Sequence, residues 1–265
     1  LAALVELRKL RALALDGLPL SDDALAALSL PPTLRRLSLR HTDIRGPGLA
    51  RGERLEALDL TGAPVDDVGA RTLATLPRLT SLALANTELG DEGARALATL
   101  PLRALDLSAT EVGHVGLGAL LAGHAGAHLE ELRLRAVRAE VTAFEGLGKL
   151  TKLRIVDLSS TNAHDGTAAT LAALPRLEEL VLDGTAVTSR GVLALGRAPA
   201  LRVLSLDHTK VDDRAVPALA AMTKLTRLDV HHTFVSEAGR DRLAEALPKA
   251  NLVFRAGSEP QPRSP

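Results

Sequence analysis

Leucines along the chain recur in one spaced pattern, L-x-x-L-x-L, at nearly constant intervals. Successive copies of the pattern are 24, 21, 24, 23, 27, 24, 24, 24 and 24 residues apart. Such a regular period predicts an array of similar repeats, because each repeat presents the same positions for burial. The repeats begin at Leu10, Leu34, Leu55, Leu79, Leu102, Leu129, Leu153, Leu177, Leu201 and Leu225.

The first part of each repeat predicts a short strand. Alternating leucines, such as Leu82 and Leu84, are typical of a strand that buries one face. Three residues after the second of these leucines, seven repeats carry a threonine, whose hydroxyl we expect to turn inward and to satisfy backbone groups at the end of the strand. These threonines are Thr42, Thr87, Thr110, Thr161, Thr185, Thr209 and Thr233.

The second part of each repeat predicts a helix. Leucines at a spacing of three, such as Leu97 and Leu100, mark its buried side, and a proline often ends it. Acidic residues such as Asp66 and Asp67 precede the helix, where they can accept hydrogen bonds from the N–H groups of its first turn. A glycine near the start of several helices, such as Gly93, predicts close approach to the neighbouring helix.

A single repeat cannot bury its own leucines, whereas stacked repeats share a continuous core. We therefore predict an α/β fold in which about ten repeats of 24 residues form a curved solenoid, with a parallel sheet on the concave side and helices on the convex side. Residues 1–254 are expected to form this one domain, closed by a half-strand at residues 251–254. Residues 255–265, rich in Pro and Ser, are expected to be disordered.

Two repeats depart from the pattern. The Leu34 repeat is short, and its segment 45–49 is expected to lack a full helix. The Leu102 repeat is long because of an insertion at residues 122–128, which we expect on the outer side or edge. In the repeat that follows it, Val137 replaces the threonine. Irregular repeats can carry binding features, although sequence drift is the favoured interpretation.

Two segments carry a resemblance to known repeats. Residues 90–98, GDEGARALA, resemble the signature of the GALA-type leucine-rich repeats, and the segment from Ala63 to Gly69 resembles the related cysteine-containing class. Threonine in place of the usual Asn or Cys resembles bacterial variants. The resemblance covers residues 10–249 and implies a leucine-rich-repeat horseshoe that recognises proteins. Some relatives carry an F-box, but the nine residues before Leu10 contain none, so a ubiquitin-ligase role is not carried over.

Composition narrows the classes of partner. Lys and Arg together number 32, as do Asp and Glu, so the formal net charge is zero. This balance favours neither nucleic acid nor an anionic membrane. The apolar runs are too short to predict a membrane span, and the lack of cysteine excludes disulfides and thiolate metal sites. We therefore expect the partner to be a protein, and neither a nucleic acid nor a membrane.

Charged side chains and histidines gather on the predicted concave face. Equivalent positions on adjacent strands lie about 5 Å apart, so residues in the same column of the array are neighbours. Arg133 lies between Asp106 and Asp157 in one column, which predicts a surface salt-bridge ladder. We predict that the partner-binding residues are Asp157, Asp183, Asp207, His208, Asp229, His231, His232, Arg133 and Arg135.

Three interpretations of the Asp and His residues in the last three repeats are open. The favoured one is a solvated polar surface, because the histidines form no compact ligand motif. A divalent metal site is an alternative, since imidazole and carboxylate groups bind zinc, manganese or iron. A pH-sensitive binding patch is a third, because histidine changes charge near neutral pH. We accordingly predict no resident metal and no cofactor.

The predicted function is that of a non-enzymatic scaffold that binds a partner protein mainly through the concave sheet. No nucleotide-binding, serine-hydrolase or zinc-protease motif is present, which argues against an enzyme. A passive spacer within a larger protein is the alternative, and metal-dependent action at the C-terminal Asp and His residues is a minor one. Because the chain has three Phe and no Trp or Tyr, few aromatic anchors are available, and we expect moderate, salt-sensitive binding.

Overall fold

The computed structural model describes residues 7–28 and 30–254. The chain divides into two compact halves, an N-terminal half, Leu1–Leu153, and a C-terminal half, Arg154–Pro265. The tail predicted at residues 255–265 lies outside the described residues, as do residues 1–6.

The N-terminal half contains six strands, which follow one another in parallel register from β1 to β6. Helices alternate with them along the chain. The strands are β1 (Ala12–Ala14), β2 (Arg36–Ser38), β3 (Ala57–Asp59), β4 (Ser81–Ala83), β5 (Ala104–Asp106) and β6 (Glu131–Arg133). The helices are α1 (Asp22–Ala27), α2 (Asp67–Leu73), α3 (Asp91–Leu97) and α4 (His114–Ala122), with 3-10 helices at Pro47–Leu49 and Val141–Lys149.

The C-terminal half repeats the same alternation with five parallel strands. The last of these is the predicted closing half-strand, which pairs with the strand before it. The strands are β7 (Ile155–Asp157), β8 (Glu179–Val181), β9 (Val203–Ser205), β10 (Arg227–Asp229) and β11 (Asn251–Val253). The helices are α5 (Asp165–Ala172), α6 (Ser189–Leu195), α7 (Val216–Ala221) and α8 (Glu237–Ala246), and a 3-10 helix at Asp213–Ala215 precedes α7.

The core of each half consists of leucines stacked in register. The central leucine of one strand pairs with that of the next, as Leu58 does with Leu82 and Leu204 with Leu228. These four side chains are buried, whereas the residues on either side of each are half-buried or exposed. The leucines therefore cover one face of the sheet and leave the other to solvent. This is the predicted leucine-rich-repeat solenoid architecture.

The seven threonines act as the sequence predicts. Each hydroxyl donates a hydrogen bond of 2.6 to 2.8 Å to the carbonyl oxygen three residues earlier in the chain. Six of the seven side chains are buried, and Thr233, in the last full repeat, is half-buried. Three repeats lack this threonine: Ala63 and Val137 are buried at the position, whereas Leu18 in the first repeat is 45% exposed. Burial is therefore the rule at this position after the first repeat, and the threonine hydroxyl adds a partner for the carbonyl.

The carboxylates at the helix starts also connect adjacent repeats. Asp66 caps its own helix, because its Oδ1 accepts a hydrogen bond from Gly69 N at 2.9 Å. Asp67, however, accepts hydrogen bonds from Gly90 N and Gly93 N of the next repeat, at 2.8 and 2.9 Å. Assigning both carboxylates to their own helix is therefore wrong for Asp67. The same bond between repeats is made by Asp22, Asp91, Asp165 and Asp213.

The irregular repeats differ from the others on the helix side. The Leu34 repeat has only the 3-10 turn Pro47–Leu49, as predicted. The insertion of the Leu102 repeat lengthens α4 to nine residues and then turns back, so that Ala125 is buried and donates to Ala98 O at 3.0 Å. In the next repeat, the 3-10 helix Val141–Lys149 buries Phe144 completely.

Candidate functional site

The register of the C-terminal half decides which predicted residues are neighbours. Asp157, Val181, Ser205 and Asp229 occupy one column across β7 to β10, so two strands separate the aspartates at its ends. Two residues further along, the next column brings Asp183, Asp207 and His231 onto successive repeats. The structure therefore gathers most of the predicted site around Asp207.

Three histidine rings surround the carboxylate of Asp207. His208 Nδ1 lies 2.9 Å from Asp207 Oδ2, while His232 Nδ1 and His231 Nδ1 lie 3.1 and 3.4 Å from Oδ1. The Nδ1 atoms of His208 and His232 are 3.2 Å apart. The His232 ring packs against both others, with centroid distances of 3.9 Å to His208 and 3.5 Å to His231. We call these four residues the His–Asp cluster.

The backbone explains why two of these rings stack. His208 and His232 each precede the inward-turned threonine of their repeat, and both have left-handed backbone angles, with φ of 54° and 47°. Glycine and asparagine occupy such positions most readily, and other repeats place Gly62, Gly184 or Asn86 there. In these two repeats the position carries imidazole, so the rings emerge side by side at the ends of neighbouring strands.

Two further aspartates accept hydrogen bonds from the backbone of the cluster. Asp183 Oδ1 accepts hydrogen bonds from Ser205 Oγ at 2.6 Å and from the backbone N–H of Asp207 at 2.9 Å. Asp229 Oδ1 accepts from the backbone N–H of His231 at 3.0 Å. The predicted site residues Asp183 and Asp229 therefore fix the backbone of Asp207 and His231 and do not project freely into solvent.

The pKa values of the Asp183 and Asp207 carboxyl groups are shifted in opposite directions. Burial raises the pKa of Asp183 above its ordinary value, and the charges of Asp207 and Asp229 add to this, against the hydrogen bonds from Ser205 and Asp207. Burial also tends to raise the pKa of Asp207, but hydrogen bonds from His208 and His232 outweigh it, so this pKa lies below the ordinary value. Asp207 is thus held as a carboxylate facing three imidazoles.

The arginines of the predicted site lie in the N-terminal half. Arg133 Nη1 is 3.4 Å from Glu131 Oε2 on its own strand. Asp106 instead accepts a hydrogen bond from Ser108 N at 2.9 Å, so the predicted ion pair between Arg133 and Asp106 is wrong. Asp157 likewise accepts from Ser159 N at 2.8 Å. Arg135 is exposed. In both aspartates Oδ1 is thus bonded to the backbone two residues ahead on the same repeat.

Sequence reasoning did not single out Phe234. Its side chain is 70% exposed, although the chain has only three aromatic residues of the Phe, Trp and Tyr class. It follows Thr233 directly, and its N–H donates to Val211 O at 2.8 Å. Preceding repeats carry Ala186 and Lys210 at this position. An aromatic residue at a position that otherwise takes small or charged side chains was the signal that could have identified it.

Comparisons with known proteins agree with this architecture. A family model described as Leucine Rich repeat matches residues 31–50, 55–74 and 76–98. Among curated protein sequences, no relative matches the chain. Within the described residues, no helix is long and apolar enough to span a membrane.

Several solved structures superpose on the chain at low sequence identity. An internalin from Listeria monocytogenes has a TM-score of 0.62 at 17% identity, over 89% of this chain and 70% of the internalin. A chain of the mouse RP105/MD-1 complex has a TM-score of 0.58 at 19% identity, over 90% of this chain and 45% of its own. TLR13, in a complex with ssRNA13, has a TM-score of 0.61 at 20% identity, over 93% of this chain and 39% of the TLR13 chain.

This chain therefore spans less than half the length of two of these three neighbours. At such identities the superpositions establish the fold and carry no information on the partner. Together with the parallel strands, the stacked leucines and the matched repeats, they identify the protein by its fold as a leucine-rich-repeat solenoid.

Proposed function

We propose that the chain is a non-enzymatic scaffold and that the exposed sheet face of its C-terminal half binds a partner protein. The observation that carries the proposal is an open polar sheet face together with an exposed aromatic side chain, Phe234, in the loop that follows β10. Aromatic side chains are enriched among the residues that anchor protein interfaces.

The charges of this face favour a basic protein segment as the partner. Asp207 is 27% exposed at its side chain and carries negative charge into the middle of the face. Carboxylates repel phosphate groups, which supports a protein over a nucleic acid as the partner. The residues that we propose for contact or for positioning of the contact surface are Asp157, Asp183, Asp207, His208, Asp229, His231 and His232, with Arg133 and Arg135 of the N-terminal half.

A finer classification also belongs to this proposal. We infer that the repeats are of the GALA type in a bacterial-like threonine variant. The threonine hydroxyls support this, since they bond the carbonyl groups at the position where Asn or Cys is usual in the family.

Paired charge exchanges test the binding face without changing the net charge. The first variant, E179K/R227E, exchanges charges on strands β8 and β10, where both side chains flank buried leucines. The control, R242E/E245K, makes the same exchange on exposed positions of α8. We expect a partner captured from the source organism's lysate to bind the first variant at least about tenfold more weakly, as for loss of central contacts. The control should bind it as the native chain does.

The other outcomes separate the alternatives. Equal capture by both variants would move the contact elsewhere, for example to the groove between α4 and the 3-10 helix of the following repeat, lined by His114, Leu121, Gly146 and Lys149. Capture by neither variant nor the native chain would favour a passive spacer over a scaffold.

A further inference from the structure

The donor atoms of the His–Asp cluster have the spacing of ligands around one metal ion. In a tetrahedral zinc site with Zn–N and Zn–O distances of about 2.0–2.1 Å, neighbouring ligand atoms are about 3.3–3.4 Å apart. Asp207 Oδ1 lies 3.1 Å from His232 Nδ1 and 3.4 Å from His231 Nδ1. One ligand atom from each of these three residues can be chosen so that all lie within 4.8 Å of one another.

The nitrogens nearest the Asp207 carboxylate belong to residues that can coordinate an ion. His208 Nδ1 and His232 Nδ1 are 3.2 Å apart, and both also face Asp207. A proton on one of these two nitrogens is enough for a hydrogen bond between them, so this contact does not itself require an ion. His231 and His232, whose Nδ1 atoms both face Asp207 Oδ1, are the two imidazoles that can offer lone pairs to an ion together with the carboxylate.

The site is also preformed. His231 is only 15% exposed and Asp207 27% exposed at their side chains, and the backbone N–H groups of both are fixed by Asp229 and Asp183. Hydrogen bonds from outside the ligand set that fix ligand orientation are a regular feature of metal sites. His232 is held by ring contacts on both sides. Little reorganisation is therefore needed when an ion binds.

We propose that Asp207, His231 and His232 form a binding site for a divalent transition metal, with zinc as the preferred ion and the fourth coordination position facing His208 and solvent. Two nitrogen donors and one oxygen donor suit zinc and disfavour calcium and magnesium, which take oxygen ligands. The chain contains no cysteine, so no thiolate competes for the ion. This site goes beyond the scaffold function, and its test by zinc binding does not require a partner protein.

Calorimetric titration of the chelator-treated full chain with zinc chloride tests the site. We expect one zinc ion per chain, and at least tenfold weaker binding in each of the variants Asp207→Asn, His231→Gln and His232→Gln. Calcium chloride should give no binding. The variant His124→Gln/His128→Gln is the matched control, because it removes a second close pair of rings, 4.4 Å apart, that has His128 Nδ1 on a backbone carbonyl and no carboxylate beside it.

Thermal unfolding supplies a second readout that does not depend on heat of binding. Zinc should raise the Tm of the native chain and of the control, since a ligand that binds only the folded state stabilises it, and should leave the Tm of His232→Gln unchanged. His232 is half-exposed, so this variant keeps the test valid even if Asp207→Asn does not fold. Absence of stoichiometric zinc binding, or equal loss of binding in the His124→Gln/His128→Gln control, would overturn the proposal.

Discussion

Two aspartates in equivalent positions of different repeats show how a residue's surroundings decide its titration. Asp16 accepts hydrogen bonds from Ser38 Oγ at 2.6 Å and Arg40 N at 2.9 Å, the same pair of bonds that Asp183 makes. The Ser38 hydrogen bond lowers the pKa of Asp16, and the Arg40 charge adds to this, whereas burial and nearby carboxylates raise the pKa of Asp183. Equivalent hydrogen bonds therefore accompany pKa shifts in opposite directions.

The opposite shifts predict opposite dependences of stability on pH. A carboxyl whose folded pKa is raised stabilises the fold below its unfolded pKa and loses that contribution as the pH rises through the folded pKa. Asp183→Asn should therefore increase the free energy of unfolding at pH 7, by on the order of 1 kcal/mol or less after screening, with the gain vanishing below about pH 4.

Asp16→Asn is the matched variant with the opposite sign. Because the pKa of Asp16 is lowered, its contribution is present above the unfolded pKa and lost in acid. The variant should be less stable than the native chain at pH 7 and approach it as the pH falls. Urea unfolding of the native chain, Asp183→Asn and Asp16→Asn between pH 7 and about pH 4 measures how each variant's stability difference from the native chain depends on pH. Differences of the same sign in the two variants at pH 7 would contradict the prediction.

Patterns of residue type predicted the threonine and leucine positions because each has one strong requirement, burial. They did not predict the side-by-side packing of His208 and His232, which depends on the left-handed backbone angles of both residues. The column rule correctly placed Asp207 beside His231. It failed for Arg133 because Asp106 accepts a hydrogen bond from its own repeat, at Ser108 N, and Arg133 pairs with Glu131 on its own strand.

At the scale of elements, the glycine near the start of a helix lets the carboxylate of the preceding repeat approach. A Cβ added at Gly93 would lie 2.4 Å from Leu89 Cδ1 and 2.6 Å from Asp67 Oδ1. The sequence predicted close approach here, but it could not show that a carboxylate makes it. A carboxylate one residue inside the helix start can accept hydrogen bonds from the N–H groups of its own helix or of the next repeat. Which of the two it does depends on how closely the repeats stack.

Gly93→Ala should therefore destabilise the chain by about 1–3 kcal/mol, the usual cost of overpacking, because the methyl group displaces Asp67 from the N–H groups it accepts. Gly118→Ala in α4 is the control, since a Cβ there meets nothing within 4 Å. It should stabilise the helix by about 0.5–1 kcal/mol. Chemical denaturation measures both changes, and a neutral Gly93→Ala would refute the role given to this contact.

At the scale of the whole molecule, the unbroken period of 24 residues from Leu129 to Leu225 predicts one cooperative array over residues 1–254. In such arrays stability is the sum of the repeats and their nearest-neighbour contacts. We expect calorimetry to give a single unfolding transition, with equal calorimetric and van't Hoff enthalpies. Two resolved transitions would instead indicate that the N-terminal and C-terminal halves are separate domains.

The carboxylate bonds between repeats have a consequence for how such chains can be lengthened or shortened. Among the described residues, five repeats supply a carboxylate that accepts hydrogen bonds from the repeat after it. At these junctions a repeat can be inserted or removed without loss only if the new neighbours restore both the donor N–H groups and the acceptor carboxylate. The Leu34 repeat illustrates this rule, because it has no full helix but keeps the loop in which Gly46 and Gly48 donate to Asp22. A designer who exchanges repeats should therefore cut within the strands, where successive repeats are interchangeable, and leave every helix start joined to the loop that precedes it.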